Sequence, residues 1–292
     1  MLLRMAHTRP NLLVDTASLE SSLADPALRV FDCTVHLVPD PPGRYRVVSG
    51  REGHAEAHVP GAGFLDVAGE LSDPDSRLPF TLPSADRFAE AMSRHGVGPG
   101  ARVVLYSRGS PMWATRVWWM LRAFGFDDAA LLDGGYEKWS KEGRRVSSDA
   151  CAYPTARFEP RPRPELIANR AAVLAAVGDR AACIIDALPE QSYRGQGPSA
   201  YGRPGHIASS VNAPFNRLVR EDQTLRTADE LRALFSGIGL SSDQRAITYC
   251  GGGIAASLAA FALVLIGHPE IALYDGSLSE WAPDPSLPME KG

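Results

Sequence analysis

The chain has 292 residues, 45 % hydrophobic and 22 % charged, a balance that excludes an intrinsically disordered protein and allows one large or two ordinary domains. Its net charge of -4 lacks the basic footprint of a nucleic-acid-binding protein, and no apolar run reaches the roughly 18 residues that span a membrane. Cys33, Cys151, Cys183 and Cys250 have no paired spacing and no CxxC, so a disulfide framework and a zinc site are both disfavoured and a reducing, cytoplasmic setting is expected.

The N-terminal stretch MLLRMAHTRP carries two arginines and no acid before Asp15, a faint likeness to a transit peptide without a secretory apolar core. The first half then runs RVFDC, EAHVPGAGFLDV, RVVLYSRGS, RVWWMLRAFGF and LLDGGYEKW. Beyond it lies KEGRRVSSDACAYPTARFEPRPRPEL, rich in Pro and Arg and without a period, which predicts an extended linker. The second half repeats the order as CIIDA, RPGHIASSVNAPF, RAITYCGGG, AASLAAFALVLIGH and ALYDGSLSEW. His58 pairs with His206, Tyr106 with Tyr249, Asp133 with Asp275 and Trp139 with Trp281, at offsets of 142 to 148 residues. Five blocks held in one order at nearly one offset indicate duplication of a single domain.

Within each half, short apolar runs such as RVVLY and RAITY are bounded by loops, as in buried parallel strands. TRVWWMLRAFGF and AASLAAFALVLIGH are too long for strands and predict helices. The alternation gives an α/β class with two tandem domains, each a mainly parallel sheet flanked by helices. The boundaries fall at residues 1–145 for the first domain, 146–165 for the linker and 166–292 for the second. The tryptophans Trp118, Trp119, Trp139 and Trp281 are expected in the core.

Cys250 sits where the strand RAITY ends, before Gly251, Gly252 and Gly253 and a helix that begins at Ile254. Ligands of parallel sheets bind at the carboxyl ends of strands. A strand, a glycine turn and a helix start make a ring of inward-facing N–H groups with the positive end of the helix dipole. Such a ring favours a sulfur anion, so the Cys250 thiol is expected to have a lowered pKa and to act as a nucleophile. Cys33, Cys151 and Cys183 have no glycine loop after them and are expected to be small apolar fillers. The counterpart of Cys250 in the first half is Ser107, so that half is expected to be inactive.

The chain resembles the tandem-domain rhodaneses, the thiosulfate and 3-mercaptopyruvate sulfurtransferases. The matching pieces are HVPGA at 58–62, RVWWMLRAFG at 116–125, LLDGGYEKW at 131–139, GHI at 205–207, YCGGGIAAS at 249–257 and YDGSLSEW at 274–281. The resemblance implies two rhodanese domains with the pocket between them and the active cysteine in the second. It implies that Cys250 attacks the sulfane sulfur of a small-molecule donor, keeps it as a persulfide, and passes it to a thiol, either a small thiol or a thioredoxin-like protein, or to cyanide. No metal or organic cofactor is implied. The loop residues Cys250, Gly251, Gly252, Gly253, Ile254 and Ala255 are the candidate catalytic set.

The thiosulfate-type loop of the family reads CRKGVTA and the mercaptopyruvate type CGSGVTA. Here it reads CGGGIAA, without a cation, which leans toward 3-mercaptopyruvate although Gly252 and Ala255 replace Ser and Thr. Family arginines before GHI bind the donor's anionic group. Ser192 stands at the first of these positions, which leaves Arg194 and Arg203 as candidates, since a guanidinium fork suits a carboxylate. His58 matches a histidine that the family is proposed to use in a proton relay, but neither Asp40 nor Glu52 aligns with its acidic partner. His58 and Tyr106 complete the candidate donor-binding residues. Phosphatases and arsenate reductases of similar fold require Arg six residues after the cysteine, where this chain has Ala256. A non-catalytic binding module is the remaining alternative.

Overall fold

The computed structural model describes residues 10–40 and 44–292; the segment considered above for a transit signal lies outside them up to residue 9. Each half forms a five-stranded sheet. In the first, the order is Leu13–Val14, Ala129–Leu132, Arg102–Tyr106, Leu28–Asp32, Gly63–Phe64. In the second, the same order recurs as Ile167–Ala168, Ile271–Tyr274, Arg245–Tyr249, Ala182–Asp186, Val211–Asn212. Every neighbouring pair is parallel. Helices cover both faces, so the central strands Arg102–Tyr106 and Arg245–Tyr249 are buried after their first residue and read as continuous apolar runs rather than alternating ones.

Local chemistry marks the helix starts. Ser84 caps Ala85–Arg94 by accepting from the Arg87 N–H, and Thr227 with Glu230 forms a capping box on Ala228–Gly237. The helix Ile254–Leu265 differs, because all twelve of its residues are buried. An apolar surface all the way round fits a helix enclosed on every side. One side faces its own sheet, and another meets the helix Met112–Ala123 of the first half. There Thr115 Oγ1 and Ser257 Oγ lie 2.8 Å apart, and Trp118 packs edge-on against Phe261 at 4.8 Å between ring centroids. A single apolar cluster therefore runs through both halves. Trp118, Trp119, Trp139 and Trp281 are all buried, as expected.

The repeat also governs how the halves are tied. Asp275 of the second half accepts the Leu82 N–H of the first at 2.8 Å. Asp133 of the first half accepts the Leu225 N–H of the second, again at 2.8 Å. The two contacts are not equivalent, since Asp275 also meets Arg116 at 2.6 Å. Residues 148–163 carry no helix or strand and run along the first half, where the Tyr153 hydroxyl donates to the Gly61 carbonyl.

One element was not anticipated. Val35–Asp40 and Arg44–Ser49 pair as an antiparallel hairpin on the first half. Its Leu37, Tyr45 and Val47 remain partly exposed beside the second half's cysteine loop. Among the described residues no helix is long and apolar enough to cross a membrane, and no cluster of three or more His, Cys, Asp or Glu could hold a metal.

Candidate active site

The loop Cys250–Gly253 follows the strand Arg245–Tyr249 and enters the helix Ile254–Leu265. The backbone amides of Ala256, Gly252 and Gly253 lie close enough to the Cys250 sulfur to favour its anion. Gly253 has φ +79°, a conformation that glycine adopts without steric cost and that turns the chain into the helix. A Cβ at Gly251 would lie 2.1 Å from the Tyr201 hydroxyl, so only glycine fits under that ring. Gly252 is open, with the nearest atom to a Cβ at 3.4 Å.

The turn after the next strand fixes this loop from behind. Ser277 Oγ accepts the N–H groups of Cys250 at 3.1 Å and Gly253 at 3.2 Å. The Leu278 N–H donates to the Cys250 carbonyl, and Ser279 donates to the Gly251 carbonyl through both its N–H and its hydroxyl. The Cys250 and Gly251 carbonyls are thereby both taken up by the turn. Ser277 is buried and has φ +49°, uncommon for a residue with a Cβ and sustained here by its three hydrogen bonds.

Cys250 is 2 % exposed and lies at the wall of a cavity of about 680 Å³ between the halves. The expectation of a lowered thiol pKa is corrected: burial pushes the Cys250 thiol above its ordinary value. The three amides pull it back in part, and the Asp186 carboxylate adds to the rise. Asp186 ends the adjacent strand; it is fully buried, and burial pushes its own carboxyl up to about 7. In the free protein, then, the loss of water outweighs the amide ring.

The structure does not bring the predicted donor-binding residues to the cavity. Arg194 is exposed and pairs with Glu190 at 2.8 Å. The Arg203 guanidinium donates to the carbonyls of Ala282, Trp281, Asp284 and Leu287, which fastens the C-terminal segment. His58 is buried in the first half with its ring nitrogens 2.7 and 3.1 Å from the carbonyl oxygens of His54 and Asp149. The Tyr106 hydroxyl accepts the Val59 N–H at 3.4 Å, as its counterpart Tyr249 accepts the Ile207 N–H at 3.0 Å. None of the four lines the cavity, and each is occupied by backbone partners or by an acid. Ser107 donates to the Ser110 carbonyl at 2.6 Å, and the adjacent Arg108 stacks on Tyr136.

Residues not singled out from the sequence surround the thiol instead. The Tyr201 phenol covers Gly251, and burial beside Cys250 raises its pKa. Leu37, Tyr45 and Val47 of the hairpin and Phe80, Met112 and Phe215 form the outer wall. The hairpin had one local signal, the two short β-type runs VHLVPD and RYRVVS on either side of a Pro-rich stretch of sequence. Tyr201 had none.

Fold and site together define a tandem α/β protein with a cysteine in a glycine loop at a strand end, beside a cavity between its halves. The model of the rhodanese-like domain matches residues 15–142 and again 169–284. The chain is 35 % identical to the 3-mercaptopyruvate sulfurtransferase of Escherichia coli (strain K12) over 274 residues, which is 93 % of this chain and 95 % of that protein. It is 34 % identical to the thiosulfate sulfurtransferase of Rattus norvegicus over 269 residues, covering 90 % of this chain and 88 % of that one. Among solved structures, the crystal structure of SseA from Escherichia coli superposes with a TM-score of 0.79 at 32 % identity, over 91 % of this chain and 98 % of SseA. The anaerobic ergothioneine biosynthesis enzyme of Chlorobium limicola shares the fold, with a TM-score of 0.84 at 21 % identity over 98 % of this chain and 71 % of that one. The chain belongs to the rhodanese family and is a sulfurtransferase with two rhodanese domains.

Proposed function

We propose that Cys250 is the nucleophile and carries the transferred sulfur as a persulfide. The thiolate bonds to the donor's terminal sulfur. The donor's C–S or S–S bond breaks, and its electron pair leaves with pyruvate, after protonation of the enolate, or with sulfite. A thiol or cyanide then takes the outer sulfur, which makes the kinetics ping-pong. The observation that carries this reading is a cysteine at a strand end, followed by a glycine turn into a helix start, at the wall of a cavity between the halves. The amides of such a turn stabilise charge as it moves between sulfurs, even where the resting thiol is neutral.

The proposed donor is 3-mercaptopyruvate rather than thiosulfate. Desolvation cost rises steeply with charge, and among the described residues no charged side chain lines the cavity. A monoanion is therefore favoured over a dianion. Residues 1–145, 146–165 and 166–292 are taken as inactive domain, linker and catalytic domain. A reducing cytoplasm suits the four free cysteines. The test is kcat/KM for the two donors with cyanide as acceptor. Higher kcat/KM for 3-mercaptopyruvate is expected; a preference for thiosulfate overturns the donor, and no thiocyanate from either overturns the activity.

A further inference from the structure

The cavity is much larger than the proposed donor requires. About 680 Å³ lies in the range that encloses a drug-sized ligand, whereas 3-mercaptopyruvate has seven non-hydrogen atoms. The cavity is lined by Leu37, Tyr45, Val47, Phe80, Met112 and Phe215, together with polar Ser192, Gln196 and Ser199. Among the described cations near the cavity, Arg194 and Arg217 pair with Glu190, Arg116 with Asp275 and Arg203 with backbone carbonyls, while Lys291 packs on the cavity-lining Gly195 and Gly205. A carboxylate placed beside the apolar wall would lose water and meet apolar side chains. An apolar body would bury surface at roughly 25 cal/mol per Å².

We propose that the cavity selects the sulfur acceptor, and that the acceptor is an uncharged small organic thiol with an apolar or aromatic body. This rests on the Cys250 persulfide proposed above. The acceptor sulfur bonds to the outer sulfur of Cys250 Sγ–S–H, and the Sγ–S bond breaks with its electron pair on Sγ. The acceptor's thiol proton ends on Sγ. R–SH and the persulfide thus become R–S–S–H and the Cys250 thiol, with no external oxidant or reductant. The hairpin residues Leu37, Tyr45 and Val47 determine this specificity, since they come from the first half and face the thiol of the second.

The test uses the full chain. Cys250 is loaded with donor and the added sulfur is confirmed by intact mass. Discharge is then timed with benzyl mercaptan, mercaptosuccinate and reduced thioredoxin, with rates expressed per thiolate. Benzyl mercaptan is expected to be faster than mercaptosuccinate by about tenfold or more, the discrimination an apolar pocket commonly provides. Val47→Lys, at a position 41 % exposed, should shift the ratio toward mercaptosuccinate when discharge is timed on protein whose added sulfur has been confirmed by intact mass. Equal or faster discharge to mercaptosuccinate or to thioredoxin in the native protein overturns the acceptor class while leaving the persulfide intact. An unchanged ratio in Val47→Lys removes the hairpin from specificity. Failure to load sulfur at all overturns the persulfide, and this inference falls with it.

Discussion

At the residue scale, the state of the Cys250 thiol is a contest between backbone donors and lost water, and in the free protein lost water prevails. Asp186 contributes on the same side, because its carboxylate disfavours a second negative charge nearby. Asp186→Asn keeps an oxygen for the Leu188 N–H and removes the charge. Iodoacetamide labelling of Cys250 in this variant should shift to lower pH than in the native protein. Superimposable labelling profiles would mean that Asp186 does not act on the thiol. Gly252 is the open position of the loop, and Gly252→Ser restores the serine of the mercaptopyruvate-type loop where a Cβ fits. This variant should load sulfur and raise the ratio of kcat/KM for 3-mercaptopyruvate over thiosulfate several-fold. A ratio that stays constant would show that residue 252 does not set donor choice.

At the element scale, the cysteine loop is shaped by the turn behind it. The Ser277–Trp281 helix donates to the Cys250 and Gly251 carbonyls of the loop, and Arg203 fastens the segment that follows that helix. Arg203→Ala should therefore lower stability by about 2 kcal/mol, the scale of losing charged hydrogen bonds, and leave the donor KM unchanged. Urea unfolding and steady-state kinetics would decide, and a raised KM at unchanged stability would return Arg203 to the donor site. The strands, the long helices and the cysteine loop were legible in the sequence because apolar period and glycine punctuation are local signals. The surroundings of Arg194, Arg203, His58 and Tyr106 were not, because these residues were chosen by position along the chain. Whether a side chain faces a cavity or a carbonyl depends on segments far away in sequence. Tyr201 and the hairpin wall failed to stand out for the same reason, and the thiol's burial is a property of both halves together.

At the scale of the whole molecule, duplication produced two similar domains with unequal contacts. Asp275 is paired with Arg116, whereas its counterpart Asp133 has burial and the Leu225 N–H as the main influences. Burial pushes the Asp133 carboxyl up from 3.8 to about 6. A folded-state pKa above the unfolded value means that its contribution is fully present below pH 4 and is lost as pH rises through about 6. The loss amounts to at most about 3 kcal/mol. Asp133→Asn, which keeps an acceptor for Leu225, should gain stability relative to the native protein as pH rises from 4 to 7. Parallel stability curves for the two proteins across that window would contradict this.

The persulfide on Cys250 is the claim on which the chemistry depends. Intact-protein mass after incubation with 3-mercaptopyruvate and removal of excess donor tests it most directly. The native protein should gain one sulfur atom that cyanide removes, and Cys250→Ser should gain none. A native protein that stays at its original mass, or a Cys250→Ser variant that takes up the same sulfur, would contradict the account.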